Sequence, residues 1–322
     1  MEQGLQKSSK DVLVSQLTGE GFRFSSFTMI SEGDYSADDA DWNYKDIPHL
    51  HEVHALAESH PAVVGRDITC SVNLQRILGV WFPITLVNFE YEKNRQIYYT
   101  TLLFFVLIIE TRIEPKAPNR CAVHTNYSIG SSPWLFFLIP VLKMLVKRNY
   151  HVLMSEDIPM RERKGELRKL GYTFRKDGNT YSFIGTRNIM RENLCPPLGT
   201  SNTVRANYTA LLDGKQEAVA GDSGLLGFRM VRAGNEVVVY PRACPHEGSS
   251  LDKSDCAGGF VKCRWHGRKI APIGRFHWGE NARFGVKAYR AEVAGETITI
   301  EYLPPEARTA QGSTMDVVAA DT

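Results

Sequence analysis

The sequence predicts an α+β chain of two folded domains, on three observations. The first half mixes long apolar strands with helices. The second half carries only short strands between Gly- and Asn-bearing turns. Between them, LCPPLGTSN at 194–202 has the composition of a linker. The length of 322 residues agrees with two domains at about 150 residues each. Thirty-eight basic residues against 36 acidic ones leave a net charge of +2, too little to hold a phosphate backbone, so nucleic acid is not expected as a partner.

Residues 1–40 are polar and rich in Ser and Asp (SSFTMISEGDYSADDADW), which reads as an N-terminal arm. The stretch 41–193 then reads as an antiparallel sheet with helices. It has a short helix in DIPHLHEVHALAESH and strands near 66–74, 80–91, 97–114 and 119–129, followed by helices near 134–149 and 156–170. The pairs GFRMVR with EVVVYP and VKAYRAEV with TITIEYL make 203–303 a small all-β domain. The tail 304–322, PEARTAQGSTMDVVAADT after its first proline, has the composition of a disordered segment. Two apolar stretches, Ile97–Ile109 and Pro133–Val146, fall short of the roughly 20 residues that span a bilayer. No membrane is expected, with a monotopic surface contact as the lesser alternative. The N-terminal segment MEQGLQKSSKDVL lacks the apolar run of a secretory signal, and six cysteines are dispersed over positions 70–263. A reducing, cytoplasmic setting is the expectation.

Two constellations carry chemistry. The first is YPRACPHEGSSLDKSDCAGGFVKCRWHGRKIAP, in which Cys244 and His246 form C-x-H and, sixteen residues on, Cys263 and His266 form C-x-x-H. Each loop offers one thiolate and one imidazole, the set needed when two histidines replace two cysteines on one iron of a [2Fe-2S] cluster. Structural zinc usually groups its ligands by type and is the weaker reading. The arrangement resembles the Rieske motif across 203–303. In the high-potential respiratory relatives two further cysteines link the loops; their places here are Ser249 and Trp265, and the hydroxyl that bonds the cluster falls near Arg268. The resemblance therefore implies a potential toward the low end of the Rieske range of about −150 to +300 mV. Cys256, between the ligands, reads as an unligated thiol.

The second is DWNYKDIPHLHEVHALAESH, with Asp46, His49, His51, His54 and His60 in fifteen residues. Asp46 and Pro48 read as a helix start. Two imidazoles and a carboxylate on one face leave open positions on a divalent iron. On an ideal helix His49 and His54 are about 140° apart, whereas His51 and His54 share a side more easily. Asp46, His49 and His54 form D-x-x-H-x-x-x-x-H, which is similar to the mononuclear-iron motif of the Rieske non-haem iron oxygenases. That resemblance implies that Asp46 is an electron-transfer bridge and that His49 and His54 bind iron, with His51 as the alternative. It also implies a later carboxylate, Asp157 of MSEDIPMRERKGELRKLGY, with Glu156 as the alternative.

The family usually places its Rieske domain first and its helix-grip (START/Bet v1-like) iron domain second, and this chain reverses the order. The resemblance implies an oxygenase using O2 and external electrons to hydroxylate, desaturate or dealkylate an apolar small molecule. With no G-x-G-x-x-G after a strand, electrons are expected from a separate NAD(P)H-dependent reductase, a ferredoxin or both. A homotrimer is the assembly the family suggests. The alternative is a Rieske electron carrier fused to a non-catalytic ligand-binding module.

Overall fold

The computed structural model describes residues 9–55, 57–77, 79–172, 174, 197–213, 217–221, 224–252, 254, 256–257, 260–286 and 288–303. Most of the linker, the tail 304–322, Cys195 and the side chain of Cys256 lie outside them. The chain divides into two units. The first comprises 1–168, 174–192 and Arg264–Gly267; the second comprises 169–173, 193–263 and 268–322.

In the first unit the elements run α1 (Ser9–Gly19), β1 (Arg23–Gly33), α2 (Ala37–Lys45), α3 (His49–Val53), β2 (Ala57–Val64), β3 (Ile68–Ile77), β4 (Val80–Glu92), β5 (Arg95–Leu102), β6 (Phe105–Ala117), β7 (Arg120–Ser131) and α4 (Ile139–Lys169), with a 3-10 turn at Pro133–Leu138 before α4. The strands form one antiparallel sheet in the order β1-β7-β6-β5-β4-β3-β2. The expected arm is a correction. Residues 23–33 form an edge strand paired with β7 from Arg23–Ser131 to Gly33–Cys121. Its local polarity suits a strand with one solvated face.

Two further expectations change. The single strand at 97–114 is a hairpin, β5 and β6, turning at Leu103 and Phe104. No Gly, Asn or Pro marks that turn, and Leu103 takes φ +53, a left-handed value a leucine rarely adopts. The two helices expected near 134–149 and 156–170 are one helix of 31 residues, about 46 Å long. Pro159 within it removes one amide donor. The helix nevertheless continues, because its face packs on the sheet: Ile139 meets Phe105 and Ile129, while Tyr150 and Met154 meet Tyr127. Near its end Gly165 allows a close approach to the 34–35 backbone, where an added Cβ would lie 2.8 Å from the Asp34 carbonyl oxygen. Helix α2 starts on a capping box, in which Ser36 Oγ accepts from the Asp39 amide and Asp39 accepts from the Ser36 amide.

The second unit is all-β. Its strands are β8 (Thr203–Asn207), β9 (Glu217–Ala220), β10 (Gly227–Ala233), β11 (Glu236–Pro241), β12 (Cys256–Ala257), β13 (Phe260–Lys262), β14 (Lys269–Ile270), β15 (Gly274–His277), β16 (Ala282–Val286), β17 (Tyr289–Ala294) and β18 (Thr297–Tyr302). They make three antiparallel sheets, ordered β15-β11-β10-β9, β12-β13-β14 and β16-β17-β18-β8. Phe228, Met230, Val237, Val239, Ile298 and Ile300 form part of its core. The expected strand VKAYRAEV is divided between β16 and β17. The α+β class holds: an antiparallel sheet with a long helix comes first in the chain and an all-β unit follows.

Candidate functional site

In the second unit, Cys244 opens a tight loop. The Cys244 amide donates to the Ser249 carbonyl at 2.8 Å and the Gly248 amide to the Cys244 carbonyl at 2.9 Å. Gly248, at φ +81, takes a backbone conformation that side chains resist. The loop stems are clamped by Arg242, which forms a bidentate pair with Asp252 at 3.0 and 2.8 Å. The buried Arg229 donates to the Leu251 and Ser254 carbonyls. Tyr172, which the sequence reading did not single out, donates its hydroxyl to the Cys244 carbonyl at 2.8 Å. Cys244 and Cys263 are both fully buried and unoxidised. Burial, followed by the adjacent Cys263 thiol, pushes the Cys244 thiol well up. Two cysteine sulfurs held side by side out of water fit a cluster, since each would bind metal as thiolate and release its proton to solvent.

In the first unit, α2 and α3 deliver a different set. Asp46 ends α2, its amide donating to the Trp42 carbonyl, and α3 starts at His49 after Pro48. Asp46 thus closes one helix instead of capping the next; no side chain caps α3. His54 lies beyond the end of α3 in extended backbone, φ −87 and ψ 126. This removes the 140° difficulty, since His49 and His54 do not share a helix. His49 Nε2, His54 Nε2 and Asp157 Oδ1 converge: His54 to His49 is 3.3 Å, His49 to Asp157 3.4 Å and His54 to Asp157 3.3 Å, with all three residues buried.

The second nitrogen of each imidazole is engaged. His49 Nδ1–H donates to the Asp46 carbonyl and His54 Nδ1–H to Glu156 Oε2 at 2.7 Å. Both Nε2 lone pairs therefore face the Asp157 oxygen. Two imidazole lone pairs and a carboxylate oxygen converging with no proton between them repel one another unless a cation lies among them. Metal bonds of about 2.1 Å at right angles would set ligand atoms about 3.0 Å apart, close to this triangle. With no metal, a proton meets the same need: burial works against the His54 charge, but Asp157 and Glu156 hold its pKa above the usual value. Burial likewise works against the Asp157 charge, and His49, His54 and Arg161 overcome it, holding the carboxyl well below the usual range.

Asn43 and Arg161 are further residues the sequence reading missed. Asn43 Nδ2 donates to Asp157 Oδ1 at 3.1 Å, while Arg161 Nε and Nη2 donate to Asn43 Oδ1 at 2.9 and 2.6 Å. Nothing in their spacing marks them. His51 stands outside the cluster, its side chain 42% exposed near Glu58, so it is not the second imidazole. Glu156 supports His54 instead of joining the triangle. The 264–267 segment of this unit places His266 Nε2 as donor to Asp46 Oδ2 at 2.6 Å. Trp265 rests on Trp42 with ring centroids 5.6 Å apart.

The triangle opens on a cavity of 690 Å³, within the size range of small-molecule sites. Ile84, Leu86, Leu107, Leu142, Leu153 and Met154 line it. Among them sit Asn88 Oδ1, Thr111 Oγ1 and Thr125 Oγ1, each buried and without a hydrogen-bond partner among the described residues. His124 and His151 are not part of this lining.

Residues 203–289 match the family model described as the Rieske [2Fe-2S] domain, and this domain implies a [2Fe-2S] cluster. All four motif residues, Cys244, His246, Cys263 and His266, fall within that range. No curated protein matches the chain. Similar solved structures include the Zhui aromatase/cyclase from Streptomyces sp. R1128, 11% identical over 44% of this chain and 96% of that one, with a TM-score of 0.41. A START superfamily protein from Mycobacterium smegmatis is 12% identical over 43% and 97%, with a TM-score of 0.37. Norcoclaurine synthase from Thalictrum flavum, in complex with dopamine and hydroxybenzaldehyde, is 14% identical over 45% and 90%, with a TM-score of 0.36. Among the described residues no helix is long and apolar enough to cross a membrane.

Proposed function

We propose that the chain is a Rieske-type non-haem iron oxygenase. The observation that carries this reading is the buried triangle of His49 Nε2, His54 Nε2 and Asp157 Oδ1 at the wall of an apolar cavity. An electron carrier needs no such set. Cys244, His246, Cys263 and His266 would hold the cluster, and His49, His54 and Asp157 a ferrous iron; when bound, the two supply electrons and O2 activation.

The protein's own groups do the rest. Glu156 and the Asp46 carbonyl fix the tautomers of His54 and His49, and Asn43 and Arg161 fix Asp157. Asp46 joins two imidazoles: its carboxylate accepts from His266 and its carbonyl accepts from His49. This link lies within one chain, so the proposed electron path needs no second copy, although a trimer remains compatible with it. The cavity suits an apolar molecule with a hydroxyl or carbonyl that satisfies Asn88, Thr111 and Thr125. A separate reductase or ferredoxin supplies the electrons.

The test is iron and acid-labile sulfide per chain on anaerobically purified protein. Three irons to two sulfides is the expected result. Two irons to two sulfides, unchanged by added ferrous iron, would overturn the reading in favour of an electron carrier fused to a ligand-binding module.

A further inference from the structure

The antiparallel order brings five connections to one end of the sheet: those into β1 and β2, the β3–β4 turn, the β5–β6 turn at 103–104, and the 3-10 turn with the start of α4 after β7. At this end Leu103, Phe104, Trp134, Phe137, Val141 and Met144 are each more than half exposed. Phe104 and Trp134 touch, with ring centroids 6.5 Å apart. Surface leucines and tryptophans are common singly, but an apolar group of this size on adjacent elements marks an interaction surface. The tip is also strained. Leu103 holds φ +53 while 73% exposed, where Gly or Asn would adopt the turn without cost.

Charge identifies the partner. The segments around the β3–β4 turn, the β5–β6 turn and the start of α4, 68–89, 95–109 and 120–155, contain no Asp or Glu, while the connections into β1 and β2 bring Glu20 and Glu58 to the same end. The same three segments carry Arg76 and Arg148, which line the cavity with Leu103, and Lys143 and Lys147, which lie over the Phe27 ring of β1. Apolar and indole side chains flanked by more cations than carboxylates suit the interface of an anionic bilayer, where aromatic rings sit among headgroups and cations meet phosphate. The cavity reaches the same end, since Arg76, Leu103, Leu142, Leu145 and Arg148 line it.

We propose that this end of the first unit docks on an anionic phospholipid surface and turns the cavity mouth toward the lipid, so that an apolar ligand enters from the bilayer. Binding of this kind needs neither metal, so it stands or falls separately from the oxygenase reading. The test is flotation of the full chain with phosphatidylcholine vesicles, with and without phosphatidylserine, at low and high salt.

The expected result is capture by the phosphatidylserine vesicles, weakened by salt, whether or not iron has been added back. Trp134→Ser with Phe137→Ser should weaken it about tenfold or more, and Arg76→Glu with Arg148→Glu should do the same. Circular dichroism should be unchanged in both variants, because these side chains are exposed. Absence of binding to either vesicle, or binding indifferent to both double variants, would overturn the proposal. So would a concentration-dependent dimer that Trp134→Ser with Phe137→Ser dissolves, which would assign the surface to a second copy of the chain.

Discussion

The two candidate metal sites are built in opposite ways. Cys244 and His246 come from one short loop between β11 and β12, held by backbone hydrogen bonds from Cys244 and Gly248 and by the Arg242–Asp252 clamp. The His49–His54–Asp157 triangle instead takes its two imidazoles from the start and the C-cap of a five-residue helix and its carboxylate from the middle of α4. A loop with glycine at its turn carries its geometry in local sequence. A triangle that spans more than a hundred residues is only as good as the packing of α4 on the sheet and the buried Asn43–Arg161–Asp157 contacts beneath it.

Breaking either site alone tests that difference, and the cluster is expected to show the larger effect. Cys244→Ser should abolish both the visible spectrum and the labile sulfide. It should leave the first unit's iron in place, as read by metal analysis after ferrous iron is supplied. His54→Ala should do the converse, giving two irons to two sulfides with an unchanged cluster spectrum. A cluster lost with His54→Ala would show that the sites are not independent.

The Asp46–His266 hydrogen bond gives a smaller, kinetic effect. Asp46→Asn should keep both metals yet slow reoxidation of the reduced cluster by O2 about ten- to a hundredfold, measured by stopped-flow absorbance. Full-rate reoxidation would remove Asp46 from the electron path. Removal of support, not ligand, comes next: Asn43→Ala should lower iron affinity about tenfold in chelator competition, with the cluster untouched. The smallest effect concerns the cavity wall. Thr111→Val removes an unpartnered buried hydroxyl and should stabilise the chain by about 1 kcal/mol in denaturant unfolding.

How much of this was legible follows from the range of the interactions. The cluster motif and the short strands around it could be read because spacing and turn residues act within a few positions. His49, His54 and Asp157 could be named only through a family pattern; helix periodicity favoured His51, because it assumed an unbroken helix where α3 stops at Val53. Residues 23–33 read as an arm because the strand lacks apolar–polar alternation: Ser25 and Ser26 are adjacent, Ile30 is exposed and Ser31 is buried, so only pairing with β7 defines it. The β5–β6 turn was missed because leucine and phenylalanine occupy it, and Asn43 and Arg161 carry no signal in the sequence at all.

By itself, the sequence determined the α+β class, the Rieske motif and the loops that carry it, and the charge balance, since these depend on residue chemistry and near neighbours. Only the tertiary structure decided that Glu156 serves His54 while Asp157 faces the imidazoles. It also selected His266 as the donor to Asp46 and gathered six exposed apolar side chains at one end of the sheet. Those outcomes depend on strand order and on which face of a 31-residue helix meets the sheet, and burial of the whole chain sets both.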